Sequence, residues 1–157
     1  MSALRLFDAA FLDRLAAEAA AAPRRRKTLN LHAAADYPCQ RFFNALSADT
    51  YVQPHRHADP AKDETLVLLR GKLGAVIFDE AGQVVAAAVL LPGQTADVPH
   101  GTCHSWLALE DGTIFFETKA GPYVPLTPEE KATFAPAEGD PRAPEYLAWL
   151  QSLCTVR

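Results

Sequence analysis

Residues 50–78 read TYVQPHRHADPAKDETLVLLRGKLGAVIF, and this stretch combines a spaced pair of histidines with two apolar, β-branched runs. The runs at 65–69 and 75–78 are bounded by turn residues, which is typical of short strands. Two similar runs, at 41–46 and 114–118, lie on either side of the stretch. Because Gly, Pro and Asp separate these runs, the middle of the chain is predicted to be an antiparallel sandwich or barrel.

The two ends of the chain show a helical pattern instead. Apolar residues recur at helical spacing near the start (Leu4, Phe7, Phe11 and Leu15) and near the end (Tyr146, Leu147, Leu150 and Leu153). The spacing predicts an N-terminal helix, which Asp8 can cap, and a short C-terminal helix. The predicted organisation is an N-terminal helix and linker over 1–30, a β-barrel over 31–125, and a C-terminal extension over 126–157 whose helix packs on the barrel.

Composition excludes several classes of function. The chain has 157 residues, a net charge of -4 and 49% apolar residues, which predicts one globular domain and argues against nucleic-acid binding. No apolar run approaches the roughly 18 residues of a membrane span, and no signal peptide pattern precedes the first helix. Three widely spaced cysteines favour neither disulfides nor a thiolate zinc site. A cytoplasmic protein without a membrane or nucleic-acid partner is therefore predicted.

Three histidines and one glutamate have the spacing of a metal site. His55 and His57 are two residues apart, so on a strand both imidazoles project from one face. Glu64 begins the next apolar run, and His104 follows the turn at Gly101. Nitrogen donors with one carboxylate suit zinc, iron, manganese, nickel or copper better than calcium. The sequence therefore predicts one divalent transition metal bound by His55, His57, Glu64 and His104.

A predicted hairpin adds two charged side chains to this site. If Asp111-Gly112 forms a two-residue turn, His104 lies opposite Lys119 and Trp106 lies opposite Glu117. Glu117 and Lys119 would then face the metal, as a general acid or base and a cation. An internal salt bridge between them is the alternative, since buried charges need partners even where no chemistry occurs.

The two histidine blocks resemble the paired motifs of the cupin superfamily. The more specific resemblance, over about residues 24 to 138, is to WbuC-type cupin metalloproteins, and it is carried by Arg41-Phe42, the segment TYVQPHRH at 50–57, Glu64-Thr65 and Glu117-x-Lys119-x-Gly121-Pro122-Tyr123. This resemblance implies a cupin jelly-roll barrel, a homodimer and a connection with bacterial surface-polysaccharide gene clusters.

Further side chains are candidates for contact with a small polar or anionic ligand. Strand alternation places Tyr51 on the side of His55. Arg41 and Tyr123 come from the segments that resemble the WbuC-type proteins, and a guanidinium can grip a carboxylate or phosphate with two hydrogen bonds. Either residue could instead hold loops together.

Three functions remain open at this point. The first is a metal-dependent isomerase, epimerase, lyase or dioxygenase that acts on a small sugar or organic acid, with Glu117 moving a proton. The second is a non-catalytic module, ligand-binding or regulatory, whose metal fixes a small ligand. The third is a barrel that acts through a protein partner and whose metal is structural, for which a closed shell of four protein ligands would argue.

Overall fold

The computed structural model describes residues 4–154, and within them the chain forms two α-helices and eight strands. The first three residues of the predicted segment 1–30 and the last three residues of the predicted segment 126–157 lie outside this part. In chain order the elements are α1 (Ala9–Ala21), β1 (Arg26–Asn30), β2 (Cys39–Leu46), β3 (Glu64–Arg70), β4 (Leu73–Phe78), β5 (Val84–Leu90), β6 (Thr95–Val98), β7 (Cys103–Ala108), β8 (Thr113–Ala120) and α2 (Ala143–Leu153). A single 3-10 turn, Pro128–Glu130, precedes α2.

The strands form two antiparallel sheets that pack face to face. The larger sheet has the order β1-β2-β8-β3-β6, and the smaller one has the order β5-β4-β7. Apolar side chains from both sheets, among them Leu66, Leu73 and Trp106, fill the space between them. The mainly β jelly roll with a helix at each end is therefore confirmed, although its strands form a two-sheet sandwich and not one continuous barrel. The larger sheet already begins at Arg26, inside the segment predicted as helix and linker.

Each helix covers one outer face of the sandwich. The carboxylate of Asp8 accepts a 2.9 Å hydrogen bond from the backbone N–H of Phe11 and so caps α1. Leu15 of α1 is buried against Phe43 and Ile114 of the larger sheet. Helix α2 packs Leu150 and its neighbours on the smaller sheet. Neither helix in the described part of the chain is long and apolar enough to cross a lipid bilayer.

The predicted hairpin between β7 and β8 is wrong. Strand β7 pairs with β4, whereas β8 lies between β2 and β3 in the other sheet. Residues 109–112 therefore carry the chain from one sheet to the other. At the start of β8, the hydroxyl of Thr113 donates to the carbonyl of Glu110 at 2.8 Å and lies 3.1 Å from the carbonyl oxygen of Lys72. Lys119 pairs in register with Glu64, not with His104.

Candidate metal centre

The three predicted histidine ligands meet at one end of the sandwich. His55 and His104 form an isolated β-bridge, in which the backbone N–H of each donates to the carbonyl of the other at 3.0 and 2.9 Å. This bridge brings their ring centroids to 4.8 Å. The ring of His57 lies 5.3 Å from that of His55 and 6.2 Å from that of His104. Residues that are distant in sequence thus present three imidazoles to one small volume.

Backbone carbonyls determine the tautomer of two of these imidazoles. Nδ1 of His55 lies 3.0 Å from the carbonyl oxygen of Gln53, and Nδ1 of His104 lies 2.9 Å from that of Thr102. Since a carbonyl only accepts hydrogen bonds, Nδ1 carries a proton in both rings. Burial and the neighbouring His104 lower the pKa of His55 to about 4, so its ring is neutral at pH 7.

Nε2 of His104 is the most unusual atom in the cluster. It is buried and has no hydrogen-bond partner, since the nearest carboxylate oxygen, Oε1 of Glu64, lies 3.6 Å away. A buried polar atom without a hydrogen-bond partner is unfavourable, and such atoms are rare in folded proteins. A metal ion is one partner that would satisfy it, because second-shell contacts at Nδ1 leave Nε2 ready to ligate.

Glu64 places a buried carboxylate beside the histidines. Its Oε1 accepts a 2.7 Å hydrogen bond from the indole Nε1 of Trp106, and its Oε2 lies 3.0 Å from Nε2 of His57. Burial alone would raise the pKa of Glu64, but the neighbouring His104, His57 and Lys119 lower it well below its usual range. The carboxylate is therefore ionised and held in place.

Lys119 and Glu117 lie next to this cluster, as predicted, although through a different strand pairing. The ammonium of Lys119 donates to Oε1 of Glu117 at 2.9 Å and to Oε2 of Glu64 at 3.1 Å. Oε2 of Glu117 accepts a 2.9 Å hydrogen bond from the side-chain amide of Asn44. Burial and the charge of Glu64 raise the pKa of Glu117 to about 8, whereas the two carboxylates raise the pKa of Lys119 to about 12 in spite of burial.

A cavity of about 640 Å³ opens beside these groups. Its walls include the candidate site residues His55, Glu64, Glu117 and Lys119, together with apolar side chains such as Phe42, Trp106 and Phe115. Tyr123 is 59% exposed and contributes to the rim. The cavity has the size and the mixed polar and apolar lining of a small-molecule site.

The structure places two of the predicted ligand contacts, Arg41 and Tyr51, away from the cavity. Gln40 and Phe42 line the cavity, so the side chain of Arg41 projects from the other face of β2, where its guanidinium lies 5.6 Å from the ring of Tyr37. Tyr51 belongs to the core beneath α2, and its hydroxyl donates a 2.7 Å hydrogen bond to the carbonyl of Pro136. Residues 51–54 are not a strand, so the alternation assumed for Tyr51 does not apply there.

Sequence reasoning missed several polar residues of the cavity wall. Gln40 and Asn44 on β2 and His32 in the loop before it all line the cavity. Strand alternation from Phe42 would have placed Gln40 and Asn44 on one face, but no signal in the sequence marks that face as the inner one. Nε2 of His32 is the ring nitrogen left for a ligand, because Nδ1 lies 3.1 Å from both the backbone nitrogen and the carbonyl oxygen of Arg41.

The donor atoms are near one another but are not arranged around a common centre. Within residues 4–154, no group of three or more His, Cys, Asp and Glu side chains has the spacing of a preformed metal site. The Lys119 ammonium donates a hydrogen bond to Glu64 and lies 3.4 Å from Nε2 of His57, so it contacts two of the predicted ligands. Predicted ligation by His55, His57, Glu64 and His104 therefore stays a prediction.

Comparison with solved structures supports the fold. Over 66% of this chain and 85% of the other, the structure is similar to KdgF from Halomonas sp., with 17% identity and a TM-score of 0.50. Procruciferin, an 11S globulin from Brassica napus, matches 64% of this chain with 26% of its own, at 15% identity and a TM-score of 0.53. Oxalate decarboxylase from Lactobacillus farciminis, in a formate complex, matches 57% of this chain with 25% of its own, at 20% identity and a TM-score of 0.47.

KdgF and procruciferin are cupin-fold proteins, so these two likenesses support the cupin part of the predicted resemblance for the fold alone. No curated protein matches the sequence. The profile of one family, described as a domain of unknown function (DUF6016), matches residues 7–90, which is more than half of the chain. The matched region runs from α1 to the end of β5 and includes His55, His57 and Glu64. The chain therefore belongs to the DUF6016 family.

Proposed function

We propose that this chain binds one divalent transition metal through His55, His57 and His104, and that Glu64 completes the ligand set. The observation that carries the proposal is the buried Nε2 of His104, which lacks a hydrogen-bond partner and faces Glu64. Anchoring of Nδ1 on backbone carbonyls in His55 and His104 supports it, because ligating histidines are oriented in this way. Three neutral nitrogens and one carboxylate suit zinc, iron, manganese, nickel or copper.

The cavity beside the metal would hold a small polar ligand. Its volume of about 640 Å³ accommodates a sugar or an organic acid. Arg41 lies on the other face of β2. Tyr123 at the rim and polar groups of the wall such as Gln40 and His32 would therefore contact the ligand. The similarity of the Glu117–Tyr123 segment to WbuC-type proteins supports a sugar related to surface polysaccharides.

We favour an enzyme over a passive binding module. When bound, the metal would polarise an oxygen of the ligand as a Lewis acid. Glu117 lies on the cavity wall with both oxygens held by Asn44 and Lys119, so it is positioned to exchange a proton with a ligand. Isomerase, epimerase, lyase and dioxygenase chemistry are all compatible with such a pair. A ligand-binding or regulatory module is the alternative, and a metal that only stabilises the fold ranks third.

The test begins with elemental analysis of protein purified without added metal. We expect about one transition-metal ion per chain, since one ligand set is proposed. Iron would favour oxygen chemistry and zinc would favour Lewis-acid chemistry. A thermal-shift screen with sugars, sugar acids and small carboxylic acids should then identify ligands of the metal-loaded protein. Absence of bound metal, together with shifts from hydrophobic compounds alone, would contradict the proposal.

The Glu117→Gln variant distinguishes the hypothesis of an enzyme from that of a binding module. The amide cannot take up a proton as the carboxylate does, so the variant should keep the metal and the ligand-induced shift while losing turnover of that ligand. Turnover equal to that of the unaltered protein would remove Glu117 from the mechanism. A ligand that binds but is never converted would favour the regulatory module.

We also infer a homodimer that forms through β5. This edge strand, Val84–Leu90, reads VVAAAVL and contains no charged residue, and Val85 is 60% exposed. Apolar edges without charges favour pairing with another strand. The segment is nearly symmetric about Ala87, so an antiparallel pair of two copies matches Val85 with Val89. Such self-complementarity is what a two-fold interface requires.

A further inference from the structure

The ammonium of Lys119 lies beside two of the predicted metal ligands. In the larger sheet Lys119 is the register partner of Glu64, so its side chain points to the same face. Its Nζ lies 3.1 Å from Oε2 of Glu64 and 3.4 Å from Nε2 of His57. The side chain is 17% exposed, and Phe42 covers it at 5.4 Å from the ring centroid. A cation of this chain therefore already contacts two of the four predicted ligands.

We propose that Lys119 is a built-in competitor of the metal ion for Glu64 and His57. The inference rests on the proposed metal site, and it adds a control on the affinity of that site. The ammonium donates a hydrogen bond to the carboxylate oxygen of Glu64 that a metal ion would coordinate, and it lies 3.4 Å from the ring nitrogen of His57. The two cations cannot share these atoms, because they would overlap and repel each other at short range.

Lys119 has a second hydrogen-bond partner besides Glu64. Its Nζ also donates to Oε1 of Glu117 at 2.9 Å, and the carboxylate of Glu117 is held on its other oxygen by Asn44. When a metal ion binds Glu64, Lys119 keeps its 2.9 Å hydrogen bond to Oε1 of Glu117. Metal binding therefore requires the exchange of one ion-pair partner and no change in the fold, so competition lowers metal affinity without abolishing it.

Lys119→Met tests this competition, since it removes the charge and retains an unbranched side chain that can fill the space. Lys72→Met is the matched control, because it removes the same charge from the 45% exposed Lys72, whose nearest ion-pair partner is Glu110. Chelator-treated proteins are titrated with zinc ion against a chromophoric chelator. We expect Lys119→Met to bind zinc at least tenfold more tightly than the unaltered protein, and Lys72→Met to bind it equally well.

Far-ultraviolet circular dichroism shows whether Lys119→Met folds. If it does not fold, a second pair of variants tests the competition. Glu117→Gln with Lys119→Met removes both members of the ion pair and is compared with Glu117→Gln alone. Tighter zinc binding by the double variant supports competition. If the unaltered protein binds no zinc and the Lys119 variants do, Lys119 excludes the metal completely, so the graded competition and the metal proposal for the native chain are both overturned.

The remaining outcomes separate the two proposals. Equal or weaker zinc binding by both Lys119 variants overturns the competition, and the metal site stands if His104→Ala abolishes binding. If the unaltered protein and all Lys119 variants fail to bind zinc, manganese and iron(II), both the metal site and the competition are wrong. If His104→Ala binds as well as the unaltered protein, the metal lies elsewhere, and the competition is overturned with the proposed site.

Discussion

Trp106 on β7 and Glu64 on β3 belong to different sheets, yet the indole Nε1 donates a 2.7 Å hydrogen bond to Oε1 of Glu64 in the interior. Trp106 is 5% exposed and Glu64 is 2% exposed, so this bond is shielded from water. Trp106 therefore orients the carboxylate that is proposed to complete the metal shell, a role that partners of metal ligands often have.

Trp106→Phe should weaken the site while keeping the fold. The ring still packs in the core, but Oε1 of Glu64 loses its donor, which costs about 1–3 kcal/mol of stability. Loss of an orienting partner should lower metal affinity by roughly tenfold. Zinc titration and thermal unfolding measure both effects. Trp149→Phe is the control, since Trp149 is 43% exposed on α2. Equal metal affinity in the two variants would show that Trp106 does not position Glu64.

His55→Ala and His104→Ala should release the metal and abolish the stabilisation that it provides. Each change removes one nitrogen donor from a small shell, and a metal that binds only the folded state raises its melting temperature. Metal content and the melting shift on addition of zinc are the measurements. His100→Ala is the matched control, because His100 is exposed and paired with Asp63 at 2.8 Å. Full metal content in both site variants would contradict the proposed ligand set.

Tyr51→Phe should change how stability depends on alkaline pH. Burial, aided by the nearby Tyr146 and Asp140, raises the pKa of Tyr51 above its usual value of 10.0. The unfolded chain loses this proton near pH 10 while the folded chain keeps it, so the free energy of unfolding falls as the pH rises above 10. Without the phenol this decrease becomes shallower. The variant should also lose about 1–3 kcal/mol at pH 8, because the carbonyl of Pro136 loses its donor.

Urea unfolding between pH 8 and 11 provides this measurement. Tyr37→Phe is the control, since the ring of Tyr37 is 41% exposed. It should leave both the stability at pH 8 and the alkaline slope nearly unchanged. An alkaline slope in Tyr51→Phe as steep as in the unaltered protein would show that another group is responsible.

Ala87→Lys should convert the proposed dimer into a monomer. A charge at the centre of β5 meets its own copy across the two-fold axis, and lysine on an edge strand opposes pairing. Sedimentation velocity over a range of concentrations gives the oligomeric state. Ala17→Lys places the same charge at an exposed position of α1 and should leave the dimer intact. A monomer in the unaltered protein, or a dimer in Ala87→Lys, would rule out the β5 interface.

Local patterns in the sequence determined the elements of this protein. The helical spacing of apolar residues predicted α1 and α2, and Asp8 caps the first helix as expected. Apolar runs bounded by turns predicted β2, β3, β4 and β8. These predictions succeed because periodicity and capping depend on neighbours along the chain. The grouping of His55, His57 and Glu64 as candidate ligands also follows from local spacing.

Tertiary structure alone decided which elements and side chains meet. Lys119 was expected to pair with His104 across a hairpin, but β8 lies in the other sheet and pairs Lys119 with Glu64. Both arrangements place Lys119 near the histidines, because alternation along β8 is local while the choice of partner strand is not. Tertiary structure also decided where Arg41 and Tyr51 lie, since the face of β2 that turns inward and the packing of α2 on Tyr51 depend on contacts between residues far apart in sequence.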